Sequence, residues 1–77
     1  MKLVLVEWVD SAFMQGWMHK SVIKNHSASK IASVGILAND TRDHVTIVQS
    51  MSDKDDRGDG ITIPKCAISR IRYLRLR

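Results

Sequence analysis

Three histidines and one cysteine are the residues of this sequence best suited to hold a metal ion. Structural zinc sites use closely spaced ligand pairs, such as CxxC or two histidines on one helix face. Here the single cysteine has no partner of its own type, and no close histidine pair falls on a predicted helix. The four residues are His19, His26, His44 and Cys66. The spacing therefore predicts no metal centre, and nothing else in the sequence calls for a cofactor.

A cluster of aspartates in residues 53–59 suggests a calcium loop at first sight. Asp53 and Asp55 occupy positions one and three of the helix-loop-helix calcium motif. The rest of the motif fails, because Arg57 stands where an oxygen ligand belongs and Pro64 where the bidentate glutamate must be. Aspartate and glycine are also common turn residues. We therefore interpret this segment as a solvated hairpin connection.

No residue pattern for catalysis is present. A nucleophilic Cys66 would need a group that stabilises its thiolate, and only Lys65 lies beside it in the sequence. A small buried residue in the tight turn after Pro64 is the favoured interpretation. Glu7 and Asp10 lie three apart at a strand end, which does not define an acid and base pair. The sequence predicts a protein that is not an enzyme.

The basic residues are unevenly distributed. Residues 65–77 carry five lysines or arginines and no acid, whereas residues 1–64 carry seven basic against eight acidic side chains. Such an excess can contact phosphates, form ion pairs between subunits, or remain solvated. The chain lacks the interleaved aromatic residues of a single-strand binding platform. The candidate basic contacts are Lys20, Lys24, Lys65, Arg70, Arg72 and Arg75.

The four aromatic residues are mostly expected in the core, because a domain this small needs most of its aromatic side chains there. Trp8 lies in an apolar strand-like segment and is predicted to be buried. Trp17 follows a glycine and precedes Met18 in an irregular segment. Tryptophan and methionine both suit binding surfaces. Trp17 and Met18 are therefore candidate contact residues, with the core as the alternative for Trp17.

The chain length of 77 residues allows one domain, residues 1–77, with low intrinsic stability. A single cysteine excludes an intrachain disulfide, so self-association is the expected support. No apolar run approaches the length of a membrane span, and the apolar start of the chain lacks a cleavage site. We therefore expect a cytoplasmic protein without membrane contact, present as a homo-oligomer.

Five short strands are predicted, separated by turn signals. Residues 10–18 indicate a short helical turn or a long packed loop, and residues 19–30 a mobile loop. Gly35 in the second strand indicates a bend or a bulge. The alternation of apolar residues changes phase after Tyr73, so the last strand should end or bulge there. This pattern predicts a mainly β fold in which one strongly bent antiparallel sheet closes into a barrel. The strands are residues 2–9, 30–38, 44–50, 61–63 and 69–73.

Several segments in the same order resemble a family of short proteins encoded by bacteriophages and prophages. The resemblance implies a small Sm-like or SH3-like barrel in the cytoplasm of a bacterial host, and it implies no named activity. Because Sm-like barrels often pair edge strands between subunits, it also implies a possible ring. The matching segments are Glu7-Trp8-Val9-Asp10-Ser11, Gly16-Trp17, Val34-Gly35-Ile36-Leu37, Val48-Gln49-Ser50 and Ile63-Pro64-Lys65-Cys66-Ala67-Ile68.

Three functions remain open at this point. The first is an interaction module that self-associates and binds a host or phage protein. The second is an Sm-like nucleic-acid binder that uses the arginine-rich last strand. The third is a ring whose subunit clefts bind a small anionic ligand through Arg70 and Arg72.

Overall fold

The computed structural model of the protein describes residues 1–76, in which five strands form one antiparallel sheet. The strand order across the sheet is β4-β3-β2-β1-β5. The mainly β, five-stranded fold predicted from the sequence is therefore confirmed. The elements are β1 Leu3–Asp10, α1 Lys20–Ile23, β2 Ser29–Asp40, β3 His44–Met51, β4 Arg57–Pro64, a 3-10 turn Lys65–Ala67 and β5 Ile68–Leu74.

The sheet is not closed. Within residues 1–76, β4 pairs only with β3 and β5 pairs only with β1, so these two strands form its edges. Edge strands present unpaired backbone N–H and C=O groups. The predicted closure into a barrel is thus not observed in the single chain, and both edges remain available for further pairing.

Strand β2 connects the two halves of the sheet. Its segment 29–36 pairs with β1, whereas its segment 36–40 pairs with β3. Gly35 lies at this change of partner. A Cβ atom there would lie 3.0 Å from the backbone oxygen of Val48 and 3.1 Å from Cβ of Ile47. Only glycine permits this approach of β3, and a register shift follows between Leu37 and Asn39.

The core is small and consists of β-branched residues on the inner face of the sheet. Val4 and Val6 alternate along β1, so both side chains point to the same face. Trp8 continues this row and packs against the core, as predicted. The fully buried residues are Val4, Val6, Val45, Ile47 and Ile63, and Trp8, Leu37, Ile68 and Ile71 pack around them.

Three local predictions need correction. Strand β4 begins at Arg57 rather than at residue 61, because the polar start of this strand pairs with Ser50 and Met51 of β3. The short helix lies at Lys20–Ile23, inside the segment predicted as a mobile loop. Cys66 in the 3-10 turn is exposed rather than buried.

The C-terminal strand ends close to the predicted position. It pairs with β1 from Leu74 opposite Leu3 to Ile68 opposite Trp8, with a register shift between Glu7 and Trp8. Leu76 is exposed after the strand, and Arg77, part of the predicted basic segment, lies outside the described residues. In the part of the chain that the structure describes, no helix is long and apolar enough to cross a membrane.

Candidate binding surfaces

The connection between β1 and β2, residues 11–28, is the largest irregular segment of the protein, and we call it the arm. The arm begins after Asp10 and ends before Ser29, which pair with each other at its root. Every arm residue except Ala12 is exposed. No aspartate or glutamate occurs between Asp10 and Asp40, so the arm is basic.

The arm exposes large apolar side chains. Trp17 has a relative exposure of 103% and Phe13 of 89%, values close to those of an unfolded chain. The remaining exposed apolar residues of the arm are Met14, Met18, Val22 and Ile23. Isolated exposed apolar residues are ordinary, whereas a contiguous group marks an interaction surface. Of the four aromatic residues, only Trp8 packs against the core, which corrects the expectation that most of them would do so.

The overall dimensions show an elongated molecule, as expected when an exposed arm extends away from the sheet. The radius of gyration is 16.1 Å, and the principal extents are 53 × 27 × 22 Å. A compact chain of this length has a radius of gyration of about 11–12 Å. The excess follows from a segment that packs against no core, which leaves its apolar side chains available to another chain.

Local contacts shape the end of the arm. Gly16 has a φ of 73°, a left-handed conformation that favours glycine, and the chain bends there just before Trp17. Nδ1 of His19 accepts a hydrogen bond from the backbone N–H of Ser21 at 3.2 Å and caps α1. The structure therefore places four predicted contact residues in one segment: Trp17 and Met18 just before α1, Lys20 at its start and Lys24 at its C-cap.

The arginines of β5 form a second surface. Arg70 and Arg72 are exposed, lie two residues apart and therefore share one face of the edge strand. In register they lie opposite Glu7 and Leu5 of β1. Arg75 follows the end of the strand and is also exposed. Two of these arginines thus lie on one face of the edge strand β5 and the third just after its end, separate in sequence from the lysines of the arm.

Lys65 is placed differently from the other basic candidates. Its Nζ lies 2.6 Å from Oδ1 of Asp40, and its backbone N–H donates to the carbonyl oxygen of Asp43. This is the only ion pair within 4 Å among residues 1–76. Lys65 therefore connects the 3-10 turn to the end of β2 rather than adding a free cation to the arginines.

A groove lies at the root of the arm, and we call it the root groove. Its volume is about 420 Å³, and it is formed by β1, β2 and Ser69 of β5. Trp8, Ile31 and Ala32 give it an apolar lining, while Glu7 and Lys30 supply charge. Sequence reasoning missed this groove, because it depends on the pairing of β1 with both neighbours.

The acidic segment 53–59 forms a hairpin turn and the start of β4. Oγ of Ser52 accepts hydrogen bonds from the backbone N–H groups of Lys54 and Asp56 at 3.2 and 3.1 Å. Asp55 adopts a φ of 66°, a conformation that aspartate tolerates in turns. Among the described residues, no group of three potential ligands is arranged to hold a metal ion.

Comparisons with known proteins add no family to this description. No protein-family model matches the chain, and searches of curated proteins and of solved structures find no similar protein. The assignment of binding surfaces therefore rests on the geometry of the arm, the root groove and β5.

Proposed function

We propose that this protein is a non-enzymatic interaction module whose arm binds another protein chain, either a second copy or a host or phage protein. The observation that carries this proposal is the complete exposure of Trp17 on a segment that extends from the sheet. The resemblance to phage-encoded proteins supplies the choice of a host or phage partner and of a bacterial cytoplasm as the setting.

The energetics favour a bound state for the arm. Transfer of a large apolar side chain from water into a protein interior stabilises by about 1.5–3 kcal/mol. Trp17 and Phe13 gain none of this transfer free energy in the single chain, because both side chains are exposed to water. Tryptophan is also among the residues that contribute most to protein interfaces. The arm is thus suited to act as a binding element.

Photo-crosslinking tests this function. Phe13 is replaced by benzoylphenylalanine, which keeps an aromatic group at an exposed position, and a matched variant carries the same group at Lys54 on the hairpin. After irradiation in the bacterial host and of the purified protein, adducts are identified by mass spectrometry. We expect protein adducts from position 13 and not from position 54, and we expect Trp17→Ala to reduce them.

Two results contradict the proposed function. The first is an equal yield of adducts from positions 13 and 54, which shows random collisions. The second is a yield from position 13 that Trp17→Ala does not change, because the aromatic arm would then not drive binding.

A nucleic-acid binding function is a second candidate, and β5 is the observation that favours it. Arg70, Arg72 and Arg75 are exposed along an edge strand, and residues 65–77 contain no acid. Arginine is the usual residue for bidentate phosphate contacts. Glu7 lies opposite Arg70 and lowers the positive charge of this face, so the arm remains the better supported surface.

The anionic ligand hypothesis stays a prediction. Arg70 and Arg72 do not line the root groove. A second cleft of about 210 Å³ at the other end of β1 and β5 is lined by Lys2, Tyr73 and neighbouring residues, and it does not include these arginines either.

A further inference from the structure

The arm and the root groove are complementary surfaces on the same chain. The arm presents exposed aromatic side chains, and the root groove presents a partly open apolar lining next to the point where the arm leaves the sheet. We propose that two copies of the chain exchange arms, so that Trp17 of each copy binds in the root groove of the other. This inference rests on the proposed function and specifies its partner as a second copy.

The size and lining of the root groove suit an aromatic side chain. Its volume of about 420 Å³ lies within the range of about 300–1,000 Å³ that ligand pockets occupy. Trp8 packs against the core, and its Nε1 donates a hydrogen bond to Oγ of Ser33 at 3.0 Å, which holds the strand pair beside the groove in place. An entering indole therefore meets an apolar lining on a fixed pair of strands.

The charges of the two surfaces also match. The arm carries Lys20 and Lys24 and no acid, whereas the root carries Glu7 and Asp10 against Lys30, a net charge of −1. Lys20 follows the anchor Trp17 by three residues, so we expect it to lie near the groove rim when the indole is bound. Opposite charges at an interface rim favour the correct partner and register.

The position of Trp17 along the arm agrees with a symmetric exchange. Trp17 lies seven residues after Asp10 and twelve before Ser29, away from both root strands. Two arms that lie antiparallel then bring each tip to the root of the other copy. Such an isologous contact uses the same two surfaces twice, as twofold dimers do.

The exposed apolar residues of the arms set the scale of the buried area. A tryptophan or phenylalanine side chain buries about 150–250 Å², so the four aromatic side chains of two arms contribute about 600–1,000 Å². Met14, Met18, Val22 and Ile23 of each arm are also exposed and add to this area when two arms pack together. The standard interface size is about 1,200–2,000 Å².

Disulfide trapping tests the geometry while Trp17 is kept. In a Cys66→Ser background, one chain carries Gln15→Cys on the arm and a second chain carries Ala32→Cys in the root groove. A matched chain carries Lys54→Cys on the hairpin in place of Ala32→Cys. Disulfides form only when the two Cα atoms approach to about 4.4–6.8 Å. We expect the mixed 15–32 disulfide dimer to form faster and more completely than the 15–54 dimer.

Light scattering of the unmodified full chain tests the affinity. We expect a mass of twice 8.7 kDa at high concentration. Trp17→Ala should raise the dimer dissociation constant by at least about 30-fold, as loss of an interface anchor does. Lys54→Ala is the control and should leave the constant unchanged. Far-ultraviolet circular dichroism confirms that the sheet of each variant is folded.

Three results overturn arm exchange: a monomer at every concentration, a dimer that Trp17→Ala does not weaken, or equal trapping at positions 32 and 54. If the protein is a monomer but still forms crosslinked adducts with other proteins from position 13, arm exchange is wrong and the proposed function stands. If the protein is a monomer and forms no such adducts, both arm exchange and the proposed function are wrong.

Discussion

Trp8 and Ser33 are joined by a hydrogen bond across β1 and β2, with Nε1 of the indole donating to Oγ of the serine at 3.0 Å. Val6 lies directly opposite Ser33, so Trp8 reaches diagonally along the inner face of the strand pair. The bond fixes the indole between the core and the root groove. One residue thus stabilises the sheet and shapes a binding surface.

The Ser33→Ala substitution should destabilise the protein by about 1 kcal/mol, because it leaves a partly buried indole N–H without its partner. In a domain of this size, that corresponds to a fall in Tm of about 4–8 °C. Urea unfolding measures the change. Ser27→Ala on the exposed arm is the control and should have almost no effect. Equal effects of the two substitutions would show that the hydrogen bond contributes nothing.

Gly35→Ala should destabilise the sheet by about 1–3 kcal/mol, because the added methyl group meets the backbone of β3 at Val48. Gly58→Ala is the matched control, since a Cβ atom added at Gly58 would lie 4.0 Å from its nearest neighbour, Cβ of Ser50. That substitution should have no cost, and a lower entropy of the unfolded chain favours a small gain. Thermal unfolding of both variants measures the difference, and a neutral Gly35→Ala contradicts the close approach.

Removal of the arm should leave the sheet folded. Residues 11–28 are replaced by Asn-Gly, the preferred two-residue turn between paired antiparallel strands such as Asp10 and Ser29. Because the arm adds nothing to the core, we expect the same urea midpoint at concentrations where both proteins are monomers. Small-angle scattering should show a radius of gyration that falls from 16.1 Å to about 11 Å. Loss of the folded sheet would show that the arm has a structural role.

The nucleic-acid candidate makes a separate prediction for β5. If this strand contacts phosphates, the chain should bind short RNA or DNA at low salt, with an affinity that falls as salt rises. Arg70→Gln combined with Arg72→Gln should reduce the slope of log K against log salt by about 0.7–0.9 for each lost phosphate contact. Lys54→Gln is the control, because it removes one positive charge, as each of the two arginine substitutions does. Absence of binding at low salt eliminates this candidate.

Local patterns in the sequence were sufficient for much of the fold. The alternation of apolar and polar residues in 44–50 predicted a half-buried β3, because successive residues of a strand face opposite sides. Residues 2–9 are apolar on both faces, which predicted a central strand for β1. Pro64 predicted the end of β4, and Gly35 predicted an irregular point in β2. The start of β4 at Arg57 could not be predicted, since its residues are typical of a turn and become a strand only by pairing with Ser50 and Met51.

The candidate site was only partly predictable. Trp17 and Met18 were recognisable because their residue types suit binding surfaces, and Lys20 and Lys24 because basic residues can contact phosphates. Their exposure was not, because an apolar residue in an irregular segment can pack on the core or extend into solvent. That choice depends on whether the inner face of the sheet has space for it.

By itself, the sequence determined the strand content, the acid-free arm and C-terminal segment, and the absence of any recognisable catalytic or metal motif. These properties depend on residue types at short spacing. The tertiary structure alone decided that Trp17 stays outside the core and that a groove forms at the root of the arm. The physical reason is that burial depends on contacts between distant segments, here β1 with β2, β5 and, through the core, β3, which no local pattern specifies.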